Sequence, residues 1–260
     1  MWIDCHAHID ELAPQEQAAV VGRAAQAGVN CLINAADDEA SCARVLETVG
    51  RFPGVYGNLG IHPHHAKDVT EETYRNISAM LDDKDHRKTI IGVGEIGLDF
   101  YYGRSEREVQ IRVFERFMEM ALQRSLPVII HQRDSAEQTV ASIKPFCDKG
   151  LRGMIHCFSG TWEFARQCLE MGLYLSFSGI VTFRKAAAVQ EAAQKAPADR
   201  ILLETDSPYL APEPLRGKTN EPAYVIHTAA KIAQLRGMSP EELSAQTRSN
   251  CRELFGLHIP

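Results

Sequence analysis

The sequence predicts an α/β fold, a (β/α)8 TIM barrel forming a single domain over residues 1–260. Three observations point there. Short β-rich apolar runs alternate with longer stretches of helical period. The chain length matches the ~250 residues that such a barrel uses. Residues able to bind metal recur at the ends of the apolar runs. A doubly wound open sheet is the competing architecture, but the turn after the first run lacks a glycine-rich phosphate fingerprint. No long linker, low-complexity segment or obvious internal repeat divides the chain.

The strand candidates follow in order: WIDCH, VNCLINA, GVYGNLGI, TIIGVGE, PVIIH, GMIHC, LYLSFSG and RILLETD. Between them the period changes. In residues 106–124, Phe114, Phe117, Met118, Ala121 and Leu122 recur three or four apart, which places them on one face of a helix. After PVIIH, the stretch DSAE offers Asp134 as an N-cap with Glu137 three residues on. Near the C-terminus, SPEE repeats the signal with Ser239, Pro240 at the first helical position, and Glu242.

Composition narrows the setting. With 45% hydrophobic and 24% charged residues the chain has ordinary globular proportions and is long enough to bury a core without disulfides. A net charge of −6 argues against a broad basic face for a nucleic-acid backbone. It leaves a nucleic-acid substrate open, because bound divalent cations supply positive charge locally. Seven cysteines, an odd number with no Cys-x-x-Cys pair, read as free thiols in a reducing compartment, hence the cytoplasm. The apolar start MWIDC is broken by Asp4 and is too short for a signal sequence or a membrane span, so no membrane association is expected.

The informative feature is where the ligand-type residues fall. WIDCH leads into His6 and His8; IIGVG ends at Glu95, PVII at His131, GMI at His156 and ILLET at Asp206. In a barrel all C-terminal strand ends meet at one mouth, so these side chains converge although they are far apart in sequence. Strand alternation puts His6 and His8 on one face and turns Cys5 and Ala7 toward the helices. The same alternation separates Cys157 from His156, and Cys5 and Cys157 read as small buried apolar residues. Taken singly, each histidine is more often a hydrogen-bonded surface residue than a ligand, and Glu95 or Asp206 could be a helix cap or salt-bridge group. A coincidence at five strand ends is a different matter. Imidazole and carboxylate together suit Zn²⁺, Mn²⁺, Fe²⁺ or, with fewer histidines, Mg²⁺. Four histidines and two carboxylates exceed one structural zinc and suit two ions with open positions, which can activate water and clamp an ester or phosphate oxygen.

Several motifs carry a family resemblance. DCHAHID, GIHPHHA, GEIGLDFYY, PVIIHQRDS, IHCFSG and LLETDSPYL, followed by RGKTNEP and NCRELFGL, resemble the TatD family of metal-dependent deoxyribonucleases within the amidohydrolase superfamily. The likeness runs from Ile3 to about Leu257, in the family's order and spacing. It implies that His6, His8, Glu95 and Asp206 hold a first metal, and that Glu95 bridges to a second held also by His131 and His156. It implies a phosphodiesterase acting on DNA, exonuclease-like, using two divalent ions (Mg²⁺, Mn²⁺ or Zn²⁺) and a metal-activated water. Asp206 then orients the water or accepts its proton, and Glu95 joins it in catalysis. Because some relatives remove D-amino acids from tRNA, hydrolysis of another ester or amide bond on the same site is the alternative. The expected partner is DNA, through strand ends, or another phosphodiester or ester; no protein partner is called for.

Other residues carry two readings each. His62 and His64 follow the third strand and either contact a substrate phosphate or are loop histidines without a role. Arg133 either pairs with phosphate through its planar fork or forms a surface salt bridge. Glu204 and Asp99 either orient a histidine ligand from behind or are structural carboxylates. Tyr101 and Tyr102 could stack on a base, but loop packing is the expectation. Arg104, Arg184, Arg216 and Lys218 are scattered over the loops, which suits gripping a strand end better than a long duplex.

Overall fold

In the computed structural model, which describes residues 1–257, every predicted strand forms and each is followed by a helix. The order is β1 (Trp2–Ala7), α1 (Pro14–Gln26), β2 (Val29–Ala35), α2 (Glu39–Arg51), β3 (Val55–Leu59), α3 (Glu71–Asp82), β4 (Ile90–Asp99) and α4 (Arg107–Arg124). It continues with β5 (Val128–Arg133), α5 (Ala136–Cys147), β6 (Gly153–Ile155), α6 (Trp162–Glu170), β7 (Tyr174–Phe177), α7 (Ala187–Lys195), β8 (Ile201–Leu203), α8 (Val225–Arg236) and α9 (Pro240–Phe255).

The strands lie in sequence order in one sheet, each parallel to the next. The ring closes just beyond β8, where Ala7 and Ser207 form a parallel bridge. Asp206 N donates to His6 O (3.0 Å) and His8 N to Ser207 O (2.7 Å). One layer lower, the buried Asp4 carboxylate accepts from Thr205 N (2.8 Å) and Thr205 Oγ1 (2.5 Å). Burial pushes the Asp4 carboxyl up to about 8, against those hydrogen bonds, so the seam is tied by a group that readily holds a proton. These ties fix β1 against the end of β8. They place His6, His8 and Asp206 side by side.

Two apolar layers hold the barrel. Side chains such as Leu32, Ile96, Ile130, Leu175 and Leu203 face outward against the helices, together with Phe114 and Phe117 of α4. An inner layer draws on Ile3, Cys31, Ile33, Ile91, Ile129, Met154 and Leu202, and α9 closes it below with Cys251, Leu254 and Phe255. Fully burying an aliphatic side chain of this kind is worth ~1.5–3 kcal/mol relative to leaving it exposed. A packed floor of this sort leaves the polar residues to the opposite end of the strands.

Three local expectations need correction. Cys5 does not turn toward the helices; it belongs to the inner layer with Ile3 and Cys31. The cause is a bulge: Asp4 pairs with Leu32 and Ala7 with Asn34, so β1 advances three residues while β2 advances two. The extra residue resets the alternation, and Cys5 and His6 both face inward at successive levels. Ala7 packs outward as expected. Asp134 does not cap α5: it adopts φ 51°, and Ser135 takes the cap position while its hydroxyl donates to Leu98 O (3.0 Å). The Ser239–Glu242 capping box forms as read, with Glu242 N donating to Ser239 Oγ (3.2 Å) and Ser239 N to Glu242 Oε2 (2.8 Å). Lastly, Glu95 is not at a strand end, because β4 runs on to Asp99.

The close approach of β4 to β5 depends on Gly97. Its φ is +146°, and a Cβ there would lie 2.1 Å from His131 O. Gly97→Ala is therefore expected to cost about 3 kcal/mol or more, combining ~1–3 kcal/mol of overpacking with ~1–2 kcal/mol of backbone strain. Gly103→Ala serves as the comparison, since Gly103 also has a positive φ (+59°) but no atom within 4 Å of the added carbon. Denaturant unfolding of both variants separates collision from strain. Equal losses would show that the contact with His131 is not the limiting one.

Candidate metal centre

Glu95 is the hub of the mouth. It projects from the middle of β4 with 2% of its surface exposed, and imidazole nitrogens surround its two oxygens. His131 Nδ1 lies 2.7 Å, His156 Nε2 2.9 Å and His62 Nε2 3.5 Å from Oε1. His6 Nε2 lies 3.2 Å and His8 Nε2 3.7 Å from Oε2. Asp206 follows β8 with φ 58°, and its Oδ1 faces His6 Nε2 at 3.7 Å and His8 Nε2 at 3.6 Å. The residues read from the strand ends, His6, His8, Glu95, His131, His156 and Asp206, thus stand in one cluster.

Among the described residues four groups have donor atoms within 4.8 Å of one another: His6, His156 and Asp206; His6, His8 and Glu95; His62, Glu95 and His131; and, at the edge, His8, Glu11 and Asp37. Electrostatics supports a cationic guest. Burial alone would raise the Glu95 carboxyl, yet the imidazoles of His156 and His131 hold it well below the ordinary carboxylate range. Asp206 is likewise held down to about 2 against its burial, chiefly by His8 and then by His156 and His6. Both carboxylates are therefore ionised at neutral pH. The Nε2 atoms of His6 and His8 are 3.2 Å apart, a spacing at which two facing lone pairs need a shared proton or cation. A hard or borderline divalent ion satisfies this donor set, so the residues present fit the metals that the sequence suggests.

The far sides of the rings show which nitrogens are free. His8 Nδ1 is 3.1 Å from Ala35 O, so it carries a proton there, and Nε2 is the nitrogen that a bound cation would take. His156 Nδ1 lies 3.3 Å from Glu204 Oε1, an ion-pair contact without hydrogen-bond geometry, and that oxygen accepts from Cys157 N at 2.6 Å. His131 Nε2 lies 3.3 Å from Asp99 Oδ2. Glu204 and Asp99 thus sit behind the histidines that face Glu95, the arrangement that orients a ligand ring. Asp99 has further partners: His64 Nε2 at 3.0 Å, and the backbone N–H groups of Tyr101 and Tyr102, which donate to its Oδ1 at 3.0 and 2.9 Å.

His62 differs from the other rings. His64 N donates to His62 Nδ1 at 3.1 Å, which places the proton of the neutral imidazole on Nε2. That nitrogen points at Glu95 and His131 as a donor. Burial and the neighbouring His131 hold the ring well below the usual histidine value, so it stays neutral.

The cluster opens into a cavity of about 500 Å³, within the ~300–1,000 Å³ of small-ligand sites. His62, His64 and Arg133, read as substrate contacts, all line it. Arg133 makes no salt bridge among the described residues; its guanidinium stacks 4.4 Å from the Tyr101 ring centre and 5.0 Å from that of Tyr102. The two tyrosines are 58% and 52% exposed, so they are not packed into the loop as expected. Cys157 also departs from the reading: at φ 44° it turns to line the cavity, its Sγ 3.2 Å from Ser178 Oγ. Asp37 and Tyr209 are among the lining residues that the sequence reading missed. Asp37, two positions beyond β2, lies 3.8 Å from His8 Nδ1 and would have been found by applying the strand-end criterion to that strand. Tyr209 lies three positions past Asp206 and had no signal of its own.

Comparison with known proteins agrees with this geometry. The family model of TatD-related DNases matches residues 3–256. A metal-dependent hydrolase of Bacillus subtilis strain 168, YabD, is 36% identical over 259 residues, covering 99% of this chain and 100% of its own. The 3′-5′ ssDNA/RNA exonuclease TatD of Citrobacter rodentium is 33% identical over 245 residues, covering 92% of each. Among solved structures, the TatD homologue YjjV of Escherichia coli K12 superposes with a TM-score of 0.92 at 27% identity, covering 98% of both chains. The fold extends further, to a phosphotriesterase homology protein of Escherichia coli with a TM-score of 0.67 at 12% identity. With the family model and full-length relatives above 30% identity in agreement, the chain belongs to the family of TatD-related DNases.

Proposed function

We propose that this protein is a divalent-metal-dependent phosphodiesterase that hydrolyses nucleic-acid strand ends. The observation that carries the reading is the pair of ionised carboxylates, Glu95 and Asp206, caged by histidine nitrogens in a cavity also lined by Arg133, which has no carboxylate partner among the described residues. His6, His8, Glu95 and Asp206 would hold one ion. Glu95, His131 and His156 would hold a second. Ions bound there supply Lewis acidity toward water and toward phosphoryl oxygens.

The chain's own groups do the rest. The Asp206 carboxylate, ionised and at the edge of the cluster, orients the attacking water and takes its proton. His62 presents a neutral Nε2–H to the cavity and donates to a phosphoryl oxygen. Arg133, steadied by the two tyrosine rings, pairs with the phosphate through its fork. Glu204 and Asp99 hold the His156 and His131 rings in register. The exonuclease name of the Citrobacter rodentium relative supports a strand end as substrate. The cytoplasm is the proposed setting: all seven cysteines are free, and among the described residues no helix is long and apolar enough to cross a membrane.

Metal removal tests the reading. Protein stripped by a chelator is expected to lose its activity on end-labelled DNA and regain it with Mg²⁺, Mn²⁺ or Zn²⁺ added singly. Small phosphodiesters, aminoacyl-tRNA and simple esters are assayed beside the DNA. Faster turnover of an aminoacyl or simple ester than of every phosphodiester would transfer the assignment to the other ester class. A Glu95→Ala preparation, purified identically, excludes contaminating nuclease.

A further inference from the structure

The metal cluster and Arg133 account for the floor of the cavity and one wall, but not for the wall across from Arg133. Arg133 ends β5, and in the strand ring β8 stands three places from β5 and four from β4, so the loop after β8 lies well round the mouth from Arg133, with the loop after β7 beside it. There the lining turns apolar: Ile180, Tyr209 and Leu210 border the cavity. Tyr209 is 51% exposed. Among the described residues the other exposed large hydrophobic side chains are Tyr101 and Tyr102, which already flank Arg133.

The apolar wall is built rather than left over. Tyr209 Oη donates to Glu11 Oε2 (2.9 Å), its N–H donates to Asp206 O (2.9 Å), and Asn220 Nδ2 donates to its carbonyl (2.5 Å). Leu210 is held at φ 55°, a conformation unfavourable for a leucine. Residue 179 has to be glycine beneath it, because a Cβ there would lie 2.3 Å from Leu210 O. A tyrosine ring fixed at its hydroxyl and at both backbone groups loses little freedom when a ligand covers it. The cavity is therefore two-sided, with a cationic wall at Arg133 and Arg104 and an apolar aromatic wall at Tyr209, and the metal-type cluster between them.

A nucleotide has the matching polarity, a flat apolar base joined to an anionic phosphate. We propose that Tyr209, Leu210 and Ile180 form a subsite for the unstacked base of a strand's last nucleotide, whose phosphate lies toward Arg133. The proposal rests on the phosphodiesterase reading above and gives it a structural reason: the terminal base must leave its helical stack, in keeping with the single-stranded substrate in the name of the Citrobacter rodentium relative. Stacking on an aromatic ring tolerates any base, so little sequence preference accompanies it.

The test is a cycle between protein and substrate. KM is measured for end-labelled single strands with a natural or an abasic last nucleotide, using the metal-loaded full chain and its Tyr209→Ala and Tyr209→Phe variants. The same strands, made uncleavable by terminal phosphorothioates, give dissociation constants by fluorescence anisotropy. Tyr209→Ala is expected to raise KM and Kd about tenfold on the natural strand, the scale of one base stack. Removing the base should cost the parent a similar factor, and the two changes together no more than either alone. Tyr209→Phe keeps the ring and should stay within about threefold of the parent. Penalties that multiply, or a Tyr209→Ala protein that binds the natural strand as the parent does, would overturn the subsite while leaving the nuclease intact. A parent that cleaves no phosphodiester at all overturns the underlying reading, and the subsite with it.

Discussion

On the proposed two-ion reading, replacing Glu95 by glutamine is expected to strip the protein of both metals and reduce phosphodiester hydrolysis by at least about 10³-fold, the scale of several kcal/mol of lost charge stabilisation. Each Glu95 oxygen faces at least two histidine nitrogens, His131 and His156 at 2.7 and 2.9 Å and His6 at 3.2 Å being the nearest. An amide preserves the shape. It removes the charge, however, and turns one of the two acceptors into a donor aimed at imidazole nitrogens. The side chain is almost fully buried, so water cannot replace the missing acceptor. Two measurements check this. Metal content after dialysis should fall for both ions rather than one, and turnover should fail to recover at raised metal concentration. Recovery at high Mn²⁺ would mean that the carboxylate assists binding without being the shared ligand.

Glu95 also shows why the cluster was legible in the sequence although its local geometry was not. A parallel barrel gathers the ends of its strands whatever their separation along the chain, so ligand-type residues that recur after apolar runs need no accurate strand boundaries to be recognised. The reading survives β4 continuing four residues past Glu95 to Asp99, and β6 and β8 stopping before His156 and Asp206. Alternation is less forgiving. It failed at Cys5, because the extra residue in β1 depends on pairing with β2, a partner that period-two counting does not include. It failed at Cys157, because a positive φ directly after His156 turns the chain out of extended geometry.

What single-residue reasoning could not supply was the proton on each ring. His8 and His62 are both strand-end histidines in the sequence, and both point at Glu95. A carbonyl behind His8 occupies its Nδ1 and leaves the inner nitrogen as the one a cation would bind, whereas a backbone N–H behind His62 makes the inner nitrogen a donor. On the proposed reading that difference separates a ligand from a group suited to touch phosphate, and it lies in backbone atoms that residue types do not encode. Tyr209 was hidden for a related reason. Its exposure becomes informative only once the folded chain sets it across the mouth from Arg133.

Asp206→Asn is the variant that isolates proton handling from architecture. The position has φ 58°, which asparagine tolerates as well as aspartate does. Its structural ties run through the backbone, from Asp206 N to His6 O and from Tyr209 N to Asp206 O, so the barrel seam is expected to survive with Tm within a few degrees of the parent. The amide oxygen can still face His6 and His8. What it cannot do is accept a proton from water. The expected result is a loss of about 10²–10⁴-fold in kcat, the range for removing a general base, with a KM for DNA close to that of the parent. Single-turnover kinetics on end-labelled strands, at metal concentrations that saturate both proteins, separates this from weakened metal binding. A variant that turns over like the parent would remove Asp206 from the proton path and leave it as a ligand alone.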